Sequence, residues 1–475
     1  MEERRASLPN RAVVTMVDQC VASGSNFAVA VIIARIAGPA GLGAYSLAYA
    51  SWLFVSSIHR AVITDPMAIH GDARDPAGAR SNLRHGFAAE ASLGICAGAV
   101  VALLGLVLIA LHQRTFGLSQ VAVAGWIPFL LIQDYWRWVG FMRGQPGKAL
   151  ANDLVFDAVQ GVGFAFVLVA HIHSASLAIA AWGLGALAGT LYGAWQFRVV
   201  PALLADMRWI RPKWSTSRWL LATCISSWGL TQLYAVLTAA ILGPVGLGGL
   251  KAAQGLVSGP AFVLVQAGGS LGLPEASRAY DERGPAGLHR VTRLVTAAGV
   301  ASVGGVLLIV VFFGRHLLTV LYGARFTRYA PAADVIALAY LLTSFSLGAI
   351  LEVKATRRVK PLFTLSIPAV IASVVAVLLL APPFRVTGAA GAYAIGTAVY
   401  VAGLLIAVRP SRTAEVGAVR SGDGPGDRQL GAARLHGGEW PGELARRLEV
   451  LDAEIQRARS SLAIRLGEQL DMAQE

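Results

Sequence analysis

The chain has 475 residues, 55% of them hydrophobic and only 14% charged, and its mean hydropathy is +0.59. A soluble domain of this length needs far more charge to cover its surface, which excludes an ordinary globular fold. The net charge of +13 would suggest nucleic acid in a soluble protein, but its distribution along the chain argues against that partner.

Apolar runs of about 20 residues, each able to cross a hydrocarbon core about 30 Å thick, recur along most of the length. The pattern predicts spans near 12–37, 42–66, 86–111, 121–142, 151–170, 175–198, 218–242, 248–272, 290–313, 331–353, 361–381 and 386–408. These runs are too long and too continuously apolar for barrel strands, so an all-α integral membrane fold is expected. The Arg-containing start resembles a signal peptide, but its apolar run is too long and is interrupted by Asp18, Gln19 and Asn26, so it reads as a retained helix.

With the N-terminus inside, the inner segments carry Arg4, Arg5 and Arg11; Arg74, Arg80 and Arg84; Arg143 and Lys148; Arg208, Arg211, Lys213 and Arg218; Arg278, Arg283, Arg290 and Arg293; and Lys354, Arg357, Arg358 and Lys360. The outer segments hold only Arg114, Arg315, Arg325, Arg328 and Arg385. This alternation predicts that both termini are cytoplasmic and that the basic excess is topological, with anionic membrane lipid as a secondary partner. Cys20, Cys96 and Cys224 fall inside predicted spans without a CxxC and read as small packing residues, not disulfides or metal ligands.

Gly38-Pro39-Ala40-Gly41-Leu42-Gly43 recurs as Gly243-Pro244-Val245-Gly246-Leu247-Gly248, 205 residues later and again between two apolar runs. Six spans separate the copies, so the halves have the same orientation and form parallel repeats, an arrangement typical of secondary transporters. Each half ends in a Gly-rich helix, Trp182-Gly183-Leu184-Gly185 and Gly388-Ala389-Ala390-Gly391, which reads as close helix packing. The expected organisation is two six-helix bundles, 1–200 and 218–410, joined by a cytoplasmic loop at 201–217. A Gly/Asp/Arg-rich flexible linker at 411–439 and a helix at 440–475 follow. In that tail Leu444, Leu448, Leu451, Ile455, Ala458 and Leu462 follow heptad spacing until Arg465. The tail helix either rests on its own domain or the membrane surface, or forms a short coiled coil for self-association or a cytoplasmic partner.

Polar residues inside spans are costly and mark internal cavities. The first span carries Asp18, Gln19, Ser23, Ser25 and Asn26; Gln19, Ser23 and Asn26 share one face. The second ends in Arg60 to Asp65-Pro66, where Asp65 could pair with Arg60 or cap the break. The fourth holds Gln133, Asp134 and Arg137, the last two spaced for a local ion pair; the fifth has Asp153, Asp157 and Gln160 on one face. In the second half Gln232, Lys251, Gln254 and Gln266 mark spans seven and eight, where Lys251 could also snorkel. The spans at 86–111, 290–313, 361–381 and 386–408 contain almost no polar groups, which predicts a lipid-facing shell around a lumen carrying both signs of charge.

The first-span segment Asp18-Gln19 through Ser23-Gly24-Ser25-Asn26-Phe27, then Ile33-Ala34-Arg35 and the Gly-Pro-x-Gly-x-Gly turn, resembles the polysaccharide and lipid-linked oligosaccharide flippases of the multidrug/oligosaccharidyl-lipid/polysaccharide (MOP) exporter superfamily. So do Arg60-Ala61 with Asp65-Pro66, and Gln133-Asp134 with Arg137 and Asp153. The resemblance spans about residues 10–410 and omits the tail. It implies two six-helix bundles working by alternating access in a bacterial plasma (inner) membrane, and a polyprenyl-diphosphate-linked sugar moved from the inner to the outer leaflet. Substrate contacts are then expected at Gln19, Asn26, Arg35, Arg60, Arg137, Gln232, Lys251 and Gln254, and coupling to H⁺ or Na⁺ at Asp18, Asp65, Asp134, Asp153 and Asp157. No cofactor, metal or catalytic residue is expected; a glycan polymerase could bind through the tail. The rival readings are a multidrug cation antiporter of the same superfamily, a membrane enzyme acting on the same lipid-linked sugars, and a non-transporting scaffold for cell-envelope enzymes. The short outer connections, with only His171 and His173 in one of them, speak against the enzyme.

Overall fold

The computed structural model describes residues 8–70, 78–199, 207–356 and 360–420. Contacts divide the chain into a unit of residues 1–409 and a second of residues 410–475. The described part of the first unit is almost entirely helical, with no strand. Several helices are too long for one crossing: the apolar stretch Cys20–His70 has 51 residues, about 75 Å at helical rise. Each such stretch breaks where the backbone leaves the helical region, at Gly38, Gly243, Gly284 and Arg385. Divided there, the unit contains α1 (8–37), α2 (39–70), α3 (Ala79–Ala110), α4 (114–142), α5 (Pro146–Val169), α6 (Ala175–Phe197), α7 (207–242), α8 (244–283), α9 (285–322), α10 (324–355), α11 (360–384) and α12 (386–408). This is the expected set of twelve. Most run several residues past the apolar cores read from sequence, and α4 bends by 53° between Ala124 and Ile127.

Gly38 and Gly243 have matching geometry, φ 65° and φ 67°, a left-handed conformation that suits glycine before a proline at the first turn of the next helix. The two turns also meet. A Cβ on Gly43 would lie 1.9 Å from the carbonyl oxygen of Pro244, and one on Gly248 would lie 1.8 Å from that of Pro39. The contact is reciprocal under the 205-residue repeat, so the pseudo-symmetry axis passes between the two motifs.

The hydrophobic cores reveal how the lobes join. Near the turns one core draws on both: Ile33, Leu42 and Tyr45 of the first lobe pack in the same cluster as Tyr234, Leu247 and Leu250 of the second. Toward the opposite end, where α1 begins and α12 ends (the terminal end), the cores separate. One holds Met67, Tyr135, Trp136 and Phe197 of the first lobe; two others hold Val353 with Leu404, and Leu288 with Leu351, of the second. The lobes thus share a core at the turn end and keep their own at the terminal end. The start of α7 crosses this division: Ser217 Oγ donates to the Val62 carbonyl at 3.4 Å and Trp209 Nε1 to Asn82 Oδ1 at 3.2 Å.

The outer shell follows the sequence reading in α9, α11 and α12, which expose Phe312, Phe313, Leu379 and Ile406. In α3 the expectation needs correction. Its later turns expose Val100 and Leu103, but Glu90 in the same span is fully buried. Cys20 and Cys96, read as packing residues, lie on exposed helix faces. Residues 411–420, assigned to a linker by composition, are helical; the rest of the linker and the helix at 440–475 lie outside the described residues.

The reciprocal glycine contact predicts that Gly43→Ala and Gly248→Ala each destabilise the protein by about 1–3 kcal/mol, the usual cost of overpacking. Gly161→Ala, where a Cβ meets nothing within 4 Å, should not. Thermal unfolding midpoints in detergent are the measurement, and equal losses for the two symmetric positions are the expected signature.

Candidate functional site

The first lobe is tied together by one polar network that reaches every helix in it. Its centre is α4, where Gln133, Asp134 and Arg137 sit on adjoining faces of one turn. Asp134 Oδ2 lies 2.9 Å from His59 Nε2 on α2, and the other ring nitrogen, Nδ1, lies 2.9 Å from Glu90 Oε1 on α3. His59 and Glu90 have no solvent exposure. Carboxylates accept at both ring nitrogens, so the triad holds together as an imidazolium between two anions, or as a neutral ring with one acid protonated. Either state places an exchangeable proton inside the lobe.

Arg137 points the other way. Its Nη2 donates to Asp18 Oδ2 on α1 at 2.6 Å, and its Nε lies 2.9 Å from Asp153 Oδ2 on α5. Gln133 Nε2 donates to Asn152 Oδ1 at 3.1 Å and Asp153 Oδ1 at 2.9 Å, and Asn152 Nδ2 donates to the Gly189 carbonyl of α6 at 2.8 Å. A second cluster lies along the same helices. Ser25 Oγ of α1 donates to Asp157 Oδ1 at 2.6 Å, and Gln160 Nε2 donates to Ser25 Oγ at 2.7 Å and Asp157 Oδ1 at 2.6 Å.

Two local pairings suggested by spacing do not form. Asp134 and Arg137, one turn apart, each pair with a different helix instead. Arg60 does not pair with Asp65 within salt-bridge distance; its guanidinium stacks over Trp138 at 4.3 Å from the ring centroid. Arg60–Thr64 is a turn of π-helix; such turns concentrate at functional sites. Asp65 is half-buried at the end of that turn, where its backbone N–H bonds to the Arg60 carbonyl.

The second lobe is different in kind. Lys251 on α8 donates from Nζ to Gln232 Oε1 at 3.2 Å and Gln254 Oε1 at 3.1 Å. Gln232 sits in the other π-helical turn of the structure, Gly229–Leu233. No acid lies within salt-bridge distance of Lys251 among the described residues. Beside it, Tyr234 stacks on Tyr393 at 4.9 Å, and Tyr340 packs against Tyr393 at 6.2 Å.

The expected site residues therefore divide. Asp18, Asp134, Arg137, Asp153 and Asp157 join the first-lobe network, with Arg60 and Asp65 next to it. Lys251, Gln232 and Gln254 come together in the second lobe. Arg35 belongs to neither: its Nε donates to the Leu321 carbonyl at 2.8 Å and its Nη2 to the Val320 carbonyl, so it caps the end of α9 near the turns. Asn26 is exposed on α1 without a recorded side-chain bond; the side chains of Gln19 and Gln266 lie outside the described residues. His59, Glu90 and Asn152 were not singled out from the sequence. Glu90 could have been, because it is an isolated acid in an otherwise apolar span.

Arg137 neutralises two buried acids, so Arg137→Met should destabilise the protein by about 3–5 kcal/mol by leaving charge uncompensated. The double change Arg137→Met/Asp153→Asn should recover part of that loss. Both are read from unfolding midpoints in detergent, and failure of the second change to restore stability would show that Asp153 is not held by Arg137.

No protein-family model matches the sequence, and no curated protein matches it. Solved structures do match the fold. A multidrug resistance MATE family transporter of the MOP superfamily, in an inward-facing conformation, superposes with a TM-score of 0.67 at 12% identity, covering 84% of this chain and 96% of the other. The lipid II flippase MurJ, in an inward closed conformation, gives 0.64 at 11% identity, over 84% of this chain and 87% of that one. An outward-facing MATE family structure gives 0.54 at 12% identity, over 85% and 94%. The chain has the twelve-helix, two-lobed fold of the MOP-superfamily transporters.

Proposed function

We propose that this protein is a flippase that moves a polyprenyl-diphosphate-linked oligosaccharide or polysaccharide unit between leaflets by alternating access, coupled to an H⁺ or Na⁺ gradient. The observation that carries the reading is Lys251. A cation at membrane depth whose partners are two neutral amides is poorly compensated, and a diphosphate supplies the missing negative charge through charge-assisted hydrogen bonds. The amides of Gln232 and Gln254 add donors for phosphate or sugar oxygens.

Physics supports the division of labour. A sugar chain cannot enter hydrocarbon with its hydroxyls unsatisfied, whereas a lipid tail can stay in the bilayer while a cleft between lobes shields the headgroup. The first-lobe network supplies the coupling element. A proton held among His59, Glu90 and Asp134, or a cation bound by Asp18 and Asp153, would change the balance of charge that ties α1 to α4 and α5. An ion that crosses gains about 2.3 kcal/mol per charge per 100 mV. In this reading the protein sits in a bacterial plasma membrane with both termini cytoplasmic, and any glycan polymerase or second copy would bind through residues 440–475.

One observation favours the multidrug cation antiporter. In and beside the first-lobe network Asp18, Asp65, Glu90, Asp134, Asp153 and Asp157 outnumber Arg60, Arg137 and His59. Lys251 weighs against it, because a cationic drug gains nothing from an uncompensated lysine in the opposite lobe.

The test is leaflet exchange of a labelled undecaprenyl-diphosphate sugar in proteoliposomes. The wild type should exchange it, Lys251→Met should slow exchange at least tenfold, and Lys251→Arg should restore most of the rate. Asp134→Asn should remove the response to an imposed pH or Na⁺ gradient while leaving membrane insertion intact. Efflux of an organic cation without exchange of the lipid-linked sugar would transfer the assignment to the antiporter.

A further inference from the structure

A groove of about 730 Å³ lies between the lobes on the side where α2, α3 and α4 face α7. Its wall follows α3 from Leu93 to Leu108, about 22 Å at helical rise. It therefore runs from the turn end past the depth of one leaflet, whose hydrocarbon is about 15 Å thick. The lining is apolar along nearly all of this length and carries no Lys, Arg, Asp or Glu. Val100 and Leu104, which line it, are largely exposed, so the groove opens sideways to the bilayer. Its inner end is closed by Trp228, whose Nε1 donates across the lobes to the Ala50 carbonyl at 3.3 Å.

Apart from the Ser51 hydroxyl on α2 and the Trp228 indole, the polar side chains lie at the turn end, where Gln113, just before α4, and Gln120 on it flank Phe116. Gln120 is fully buried, and neither Nε2 nor Oε1 of its amide has a hydrogen-bond partner. An orphaned amide in an apolar setting costs about 1–3 kcal/mol, so it is suited to a partner that comes from outside the chain. That partner must be polar and neutral, because no cation lines the groove to receive a phosphate. It must also be attached to a long apolar chain lying below it.

We propose that this groove holds one acyl chain of an ester-linked bilayer phospholipid, with the ester carbonyl accepting from Gln120 Nε2. The lining of the groove includes none of Gln232, Lys251 and Gln254, so the proposal does not depend on the cargo. Because α7 belongs to the second lobe and the other walls to the first, the lipid fits only while the lobes hold the present arrangement. It therefore acts as a wedge that favours the conformation closed at the turn end.

The experiment uses the full chain in vesicles of phosphatidylethanolamine and phosphatidylglycerol, with a trace of phosphatidylcholine carrying a diazirine on one ester-linked acyl chain. Cross-linked peptides are then mapped by mass spectrometry. The expected result is labelling within 93–120 and 228–240 that falls at least fivefold in Gln120→Leu and is abolished in Val101→Trp, which fills the groove. The ether-linked analogue, which lacks the carbonyl, should label the wild type as weakly as the ester probe labels Gln120→Leu. The ester–ether comparison needs no variant and so survives any folding defect. Equal labelling by the two probes, undiminished labelling of Gln120→Leu, or displacement of the probe by polyprenyl phosphate at equimolar amounts would each overturn the proposal.

Discussion

The close approach of the two Gly-Pro turns governs the arrangement of the rest. Gly43 against Pro244 and Gly248 against Pro39 bring backbone against backbone with no room for a side chain. Dispersion between such surfaces is strong because many atoms meet at optimal distance, and small residues are the usual means of bringing helices together in lipid, where no hydrophobic force acts between them. Once the turns lock, Ile33, Tyr45, Tyr234 and Leu250 are carried into a single core. The opposite ends are then free to keep separate cores. Under the proposed alternating-access function, a two-lobed protein joined at one end and divided at the other would be one half of the cycle, and the other half would require this contact to part.

The lobes carry different electrostatic tasks. In the first, opposite charges are interleaved so that each buried ion meets a partner on a neighbouring helix: Glu90, His59 and Asp134 in one direction, Asp18, Arg137 and Asp153 in the other. Desolvating so many ions is expensive, and such networks are weak contributors to net stability unless every member is satisfied. Their value lies in specificity: adding or removing a single proton leaves another member uncompensated, and the helices that carry it must readjust. In the second lobe a single lysine is held by the amide oxygens of Gln232 and Gln254, which solvate it without cancelling its charge. In the proposed function the first lobe would respond to a small cation and the second would receive an anion.

Much of the architecture is written in simple sequence patterns. Apolar run length gave the twelve crossings, and the repeated Gly-Pro motif gave the equivalence of the halves. Two close contacts explain the glycines of α6: a Cβ on Gly183 would strike the Trp126 ring, and one on Gly185 the Phe156 carbonyl. The pairings within the site were less legible. Spacing along one helix suggests partners one turn away, as for Asp134 with Arg137, but it cannot register that Trp138 takes the Arg60 guanidinium or that α1 and α5 bring acids of their own. His59 lies inside the second predicted span, directly before Arg60, and its two carboxylate partners come from helices that local spacing cannot bring to it. Arg35 was drawn into the site by its place in the motif, whereas its reach to the carbonyls of α9 depends on a fold in the chain almost three hundred residues away.

The same π-helical turn links the two halves of the mechanism. Arg60–Thr64 follows directly on His59, the residue that joins Glu90 to Asp134, and its Val62 carbonyl receives Ser217 from the start of α7. A π turn holds one residue more than an α turn in the same height, so regularising it would rotate everything on one side of it relative to the other. A change in the charge state of the His59 triad acts at one edge of this turn, and α7, the helix that carries Gln232 toward Lys251, rests against the other. If the proposed coupling holds, it would need no long chain of intermediates, because the His59 triad and the first helix of the opposite lobe meet at a single π-helical turn.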